Sequence, residues 1–122
     1  MEPVQLRLQS MPGSAREARN FLFAWSEILD PDSLDEVRTV VSEFVALGVK
    51  HGGANPIDLK LELADAHVKG MVLDSVAQTL SKAADEASFA LKIIDGLVDE
   101  WSTDPERGAV WFRMPIQRLK AR

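Results

Sequence analysis

The chain has 122 residues, nineteen acids against fourteen Lys and Arg, a formal net charge of −5, and neither cysteine nor tyrosine. That length makes one domain, able to bury about two-thirds of its unfolded surface and so to support an unaided core. The missing cysteines exclude disulfides, thiol catalysis and zinc fingers. The acidic balance argues against nucleic acid and anionic membrane as partners, and no apolar run is long enough to span a bilayer. Met1-Glu2-Pro3 sets no basic region before an apolar stretch, so no secretion signal and a cytoplasmic location are expected.

Residues 4–9 alternate apolar and polar, the period of a half-buried strand. Met11-Pro12-Gly13 breaks it, and Ser14 stands where it could cap a helix. From Ala15 to Leu29 apolar residues recur at helical spacing through Ala18, Phe21, Leu22, Trp25 and Ile28. Asp30-Pro31-Asp32 is a turn, and Ser33 with Glu36 has the spacing of a capping box. A second helix follows through Leu34, Val37, Val41, Phe44 and Val45, and stops at His51-Gly52-Gly53.

Ile57, Leu59, Leu61 and Leu63 alternate with Asp58, Lys60 and Glu62, a clear strand; Val68 to Leu73 is its return strand after the turn at residues 64–66. Residues 75–82 read as a polar connection. Alanines 83, 84, 87 and 90 with Leu91, Ile94, Leu97, Val98 and Trp101 predict a third amphipathic helix, with a short extra strand near 101–103 as a further option. Ala109 to Met114 is the closing strand. Residues 1–115 thus form one domain, and residues 116–122, with Arg118, Lys120 and Arg122, a basic tail expected to fray. The order β-α-α-β-β-α-β predicts an α+β, two-layer α/β sandwich: a mostly antiparallel sheet with three helices on one face.

Four segments together resemble the anti-sigma-factor serine kinases, members of the superfamily of gyrase, histidine kinases and MutL that shares the Bergerat (histidine-kinase-like ATPase) fold. Val40-Val41-Ser42-Glu43-Phe44-Val45-Ala46-Leu47-Gly48-Val49-Lys50-His51-Gly52 is similar to the first ATP-binding box, V-S-E-L-V-T-N-A-V-R-H-G. Val72-Leu73-Asp74 stands where the family ends a strand with D-x-G-x-G. Leu91 to Trp101 resembles the helix L-x-L-V-D-A-L-A-D-x-W, and Gly108 to Phe112 resembles G-x-T-V-W-F. Ala15 to Phe21 also matches the family's first helix.

The resemblance implies a catalytic base at Glu43, a magnesium-binding asparagine at position 47 and an adenine-binding aspartate at Asp74. Leu47 replaces the asparagine and has no oxygen for a hard cation. Ser75-Val76 replaces the glycine step beside Asp74, and Ser88-Phe89-Ala90 stands where glycines would cradle phosphate. Phe89 is expected in the core, or else as a plug in the vacated cavity. No catalytic residue is therefore expected: Glu43 is a vestigial base, and Glu43, Leu47 and Asp74 mark a vestigial nucleotide site. No cofactor and no metal are expected, with ATP and Mg²⁺ belonging only to the alternative of an active ATP-dependent serine kinase. His51 reads as a helix-end cation and His67 as an exposed strand residue.

The leading expectation is a catalytically inactive, anti-sigma-factor-like regulator that binds protein in bacterial transcription or stress signalling. The resemblance implies a sigma factor or an anti-anti-sigma protein as partner, and a homodimer. A self-assembling structural module is the other alternative. Strand alternation puts Val68 and Val72 toward the helices and leaves Met71 and Leu73, with Trp111, as a candidate interface on the open face.

Overall fold

The computed structural model describes residues 3–51, 56–73, 84–104 and 106–119. Its strands are β1 (Val4–Leu8), β2 (Ile57–Leu63), β3 (His67–Leu73), β4 (Glu100–Asp104) and β5 (Ala109–Pro115). They form one antiparallel sheet in the order β1-β2-β3-β5-β4. The α-helices are α1 (Ser14–Phe21), α2 (Pro31–His51) and α3 (Ala84–Leu97). They and the inward residues of the sheet share one core, so the expected α+β two-layer sandwich is the observed architecture.

Alternation decides which face of each strand is buried. In β2, Ile57, Leu59, Leu61 and Leu63 point inward while Asp58, Lys60 and Glu62 point out. Val68 and Val72 of β3, and Val110, Phe112 and Met114 of β5, complete the inner face. The 21 residues of α2 give a rod about 31 Å long. Its stripe of Val37, Val40, Val41, Phe44 and Val45 is wholly buried, each side chain contributing roughly 1.5–3 kcal/mol on removal from water. From α3, Ile94 is buried, and Leu91, with Val98 just after the helix, packs half-buried against the same core.

Gly70 sets how closely α2 approaches the sheet. A Cβ there would lie 2.3 Å from the Phe112 ring. Without it, the ring lies over the β3 backbone and stacks on Phe44 at 5.6 Å between centroids. Phe44 also meets Trp101 edge-on at 6.3 Å. Gly108 has φ 62°, the left-handed conformation that lets β4 turn into β5 without a side-chain penalty.

Five local expectations are corrected. The first helix ends at Phe21 and gives way to a 3₁₀ turn, Leu22–Trp25, instead of running to Leu29. Ser14 does not cap α1: Gly13 is the capping residue, and the Ser14 hydroxyl donates to the Gln9 carbonyl and accepts from the Met11 N–H. The capping box at Ser33 is also displaced. Pro31 fills the first helical position, so Asp30 accepts from the Asp32 N–H at 3.1 Å. Ser33 instead takes the N–H of Gln117 at 2.7 Å. Trp101 lies in β4, the strand offered as the further option near 101–103, and not in the third helix; its indole N–H donates to Asp95 at 2.7 Å.

The segment after Pro115 does not fray as far as Leu119. Ile116 is buried, and Leu29 and Arg118 form an isolated β-bridge. The Asp30 N–H donates to Gln117 and the Leu119 N–H to Ile28, both at 2.9 Å. The Arg118 guanidinium donates to the carbonyls of Ala64 and Asp65. This strap ties the β2–β3 turn to the start of α2. On the outer face of the sheet, Arg7 and Asp58 form a two-pronged pair at 2.7 and 3.1 Å. The hydrogen bond from Arg7 holds the Asp58 carboxyl below its ordinary range.

Candidate functional site

Helix α2 carries the first of the expected functional positions. Four residues advance a helix by about 40° beyond a full turn, so Glu43 and Leu47 sit one turn apart on nearly the same face. They differ in setting. Leu47 is 6% exposed and belongs to the core. Glu43 is half-buried on the side of α2 toward α1. The two positions therefore place one carboxylate and one hydrocarbon side by side, and the hydrocarbon has no lone pair to offer a hard cation. Asp74 lies outside the described residues, as do Ser75, Val76 and Gly52.

The segment expected to hold phosphate is helical. The described part of α3 runs Ala84–Leu97, so residues 88–90 lie at least one turn inside the helix. Only the first four N–H groups of a helix lack an internal acceptor. The amides of residues 88–90 are thus engaged within α3 and cannot converge on an anion as a glycine loop does. Phe89, expected in the core or in a vacated cavity, is instead 75% exposed. An aromatic residue on the solvent face of a helix neither plugs nor packs.

A groove of about 500 Å³ separates α1 from α2 and includes Glu43 on its wall. Arg16 and Arg19 of α1 and Arg38 of α2 border it. Arg38 lies with its guanidinium carbon 3.9 Å from the centre of the Phe23 ring and donates to the Arg19 carbonyl at 3.1 Å. Its pair with Asp35 is long, at 3.7 Å. Met11, Phe21 and Phe23, on and beside α1, are all substantially exposed. An acidic chain thus gathers three arginines and three exposed apolar side chains around one helix. Arginine and aromatic residues are the types enriched at protein interfaces. The sequence held a signal for this, Arg16 and Arg19 at helical spacing three, but attention to periodicity passes over the polar side of a helix.

On the open face of the sheet, Met71 and Leu73 are half-buried and Trp111 is 36% exposed, all pointing away from the helices. The structure brings Met71 and Trp111 together as cross-strand partners and sets Leu73 opposite Ala109. His67 is less exposed than expected, its Nε2 lying 3.1 Å from Asp99. Among the described residues no group of three or more His, Asp or Glu side chains could hold a metal ion, and no helix is long and apolar enough to cross a membrane.

Comparison with known proteins follows the same lines. The chain is similar to the RsbU and RsbW domains of Rv1364c from Mycobacterium tuberculosis, with a TM-score of 0.70 and 24% identity over 97% of this chain. It spans 32% of the length of that solved chain, and at this identity the likeness speaks for the fold. No curated protein sequence matches the chain. The profile of the histidine kinase-like ATPase domain matches residues 8–114. The match runs from the end of β1 through nearly all of β5, and with the sheet order and the three-helix layer it establishes that the chain belongs to the histidine kinase-like ATPase domain family.

Proposed function

We propose that the protein is a catalytically inactive member of its family, a cytoplasmic regulator of the anti-sigma-factor type that works by binding protein and neither hydrolyses nor transfers phosphate. The observation that carries the reading is Leu47. A core leucine occupies the place where the resemblance calls for a magnesium-binding asparagine. The helical run through residues 88–90 adds to it, because phosphoryl transfer rests almost wholly on positioning and charge stabilisation. Glu43 and Asp74 are then relics of the nucleotide site, and no cofactor is needed. The likeness to a chain with an RsbW domain favours a regulatory role, and a sigma factor or anti-anti-sigma protein is the partner class that the resemblance suggests. The α1–α2 groove, with its arginines and exposed Phe21 and Phe23, suits an acidic segment of such a partner.

The test is thermal unfolding with and without roughly 5 mM Mg·ATP, since a ligand held only by the native state stabilises by RT ln(1+[L]/Kd). The expected outcome is an unchanged midpoint, with the partner retained on the untreated protein and lost in Arg16→Glu/Arg19→Glu. A magnesium-dependent rise of several degrees, abolished by Asp74→Asn, would instead support the active serine kinase, the reading that the retained Glu43 favours. A stable assembly of the chain that retains no partner would support the structural module.

A further inference from the structure

Lys69 of β3 and Arg113 of β5 stand directly opposite each other on the outer face of the sheet. Like charges in that relation weaken a strand pair. Neighbouring groups do little to neutralise them. Lys69 makes no ion pair within 4 Å among the described residues. Arg113 Nη2 lies 3.7 Å from Glu100, too far for a hydrogen bond. Arg113 Nε is buried with no acceptor among the described residues. Asp99, just before β4, is engaged by His67 at 3.1 Å. A buried donor left unpaired is costly, and here the only remedy is an acceptor from outside the chain.

Two residues along the same strands, Met71 and Trp111 are likewise opposite each other. These four side chains line one groove of about 490 Å³, a volume within the range of small-molecule sites. One end of the groove is a pair of cations, and the other is a floor of thioether and indole. Glu62 on β2 and Glu100 on β4 flank the cations. The two acids stand three strand spacings apart, about 14 Å. A single carboxylate group fits between them, whereas the acidic surface of a protein would meet both.

We propose that this groove binds a small aryl alkanoate. Lys69 and Arg113 hold its carboxylate, and a short alkyl arm carries its aromatic ring over Met71 and Trp111. Strand geometry sets the arm. Two residues advance a strand by about 6.7 Å, the reach from a carboxylate across two methylenes to the middle of a ring. The guanidinium offers a planar fork to both carboxylate oxygens, and the Lys69 ammonium adds a point charge beside it. An aromatic ring stacks offset on the indole and meets the methionine sulfur at its edge, contacts that an alkyl chain lacks. A neutral ligand would leave the cation pair uncompensated. The site lies on the sheet face turned away from α2 and α3, so it stands or falls separately from the reading of the nucleotide site.

Indolepropanoate is the probe and indolepropanol its neutral counterpart, each titrated into the full chain by calorimetry and by amide chemical shifts. The acid should bind with a dissociation constant on the order of 0.1–1 mM, at least about tenfold tighter than the alcohol. The shifts should cluster at residues 69–71 and 111–113. Arg113→Gln should weaken the acid at least about tenfold and leave the alcohol within about twofold. Glu100→Gln should tighten the acid about two- to fivefold, by removing an anion that competes for the guanidinium. Trp111→Ala should weaken both ligands, while thermal melts confirm that all three variants fold. The proposal is overturned by acid that fails to saturate by about 10 mM, by acid and alcohol bound alike, or by shifts that cluster elsewhere, as in the α1–α2 groove. Arg113→Gln binding the acid as the parent does, or octanoate bound as tightly as the aromatic acid, would overturn it equally.

Discussion

Gly70 is the position where a single carbon matters most. A Cβ there would collide with the Phe112 ring, so its absence seats Phe112 and, through it, Phe44. Gly70→Ala should therefore destabilise by about 1–3 kcal/mol, although alanine suits a strand better than glycine. Chemical denaturation checks it; a variant as stable as the parent would mean that the aromatic stack shifts freely. Phe112→Leu in the Gly70→Ala background should recover part of the loss, because the smaller side chain relieves the clash. Leu47 is legible in the sequence as a departure from a resembled pattern, but only burial reveals that it has joined the core. Phe89 was illegible for the opposite reason. Hydrophobicity alone sends an aromatic residue inward, yet helix phase turns this one to solvent.

At the scale of elements, the strands were the most readable parts. β2 alternates without a break, and its pattern of buried and outward residues is the one observed. The first helix was misread in length because Phe21, Leu22, Phe23, Ala24 and Trp25 are apolar without interruption, so periodicity has nothing with which to mark a stop. Trp101 fits two readings, helix and short strand, because the helical phase of Ile94, Leu97 and Val98 continues onto it while a five-residue strand supplies too few residues to declare its own period; the strand is the one observed. The strap could not be read at all, since its partners lie far away in the chain. It yields a prediction. Ser33 is buried and its hydroxyl is the acceptor for the Gln117 N–H, so Ser33→Ala should cost about 1–3 kcal/mol by stranding that amide. Hydrogen exchange at Gln117 should accelerate beyond the effect on global stability. If only the start of α2 loosens, the serine acts as a helix cap after all.

For the whole molecule, the division of labour follows from its two layers. One side of the sheet is consumed by the core, so stability depends on the helices packed against it. The inactive state proposed above is compatible with an intact scaffold, because Leu47 adds buried apolar surface to the core. The groove beside α1 lies in the helix layer and the open face on the far side of the sheet, so a ligand on one leaves the other uncovered.

The strand order also carries a consequence for time. β2 with β3, and β4 with β5, are hairpins that can close locally. The seam between β3 and β5 joins residues separated by the whole of α3 and β4, and closing that long loop must precede any reward from the pairing. Folding should thus proceed as two early hairpin units followed by one slower docking step. Trp111 lies on the seam opposite Met71. In stopped-flow refolding its fluorescence should change with the slow phase, and Val72→Ala, which weakens the seam, should slow that phase more than Leu8→Ala on the outlying β1 strand does.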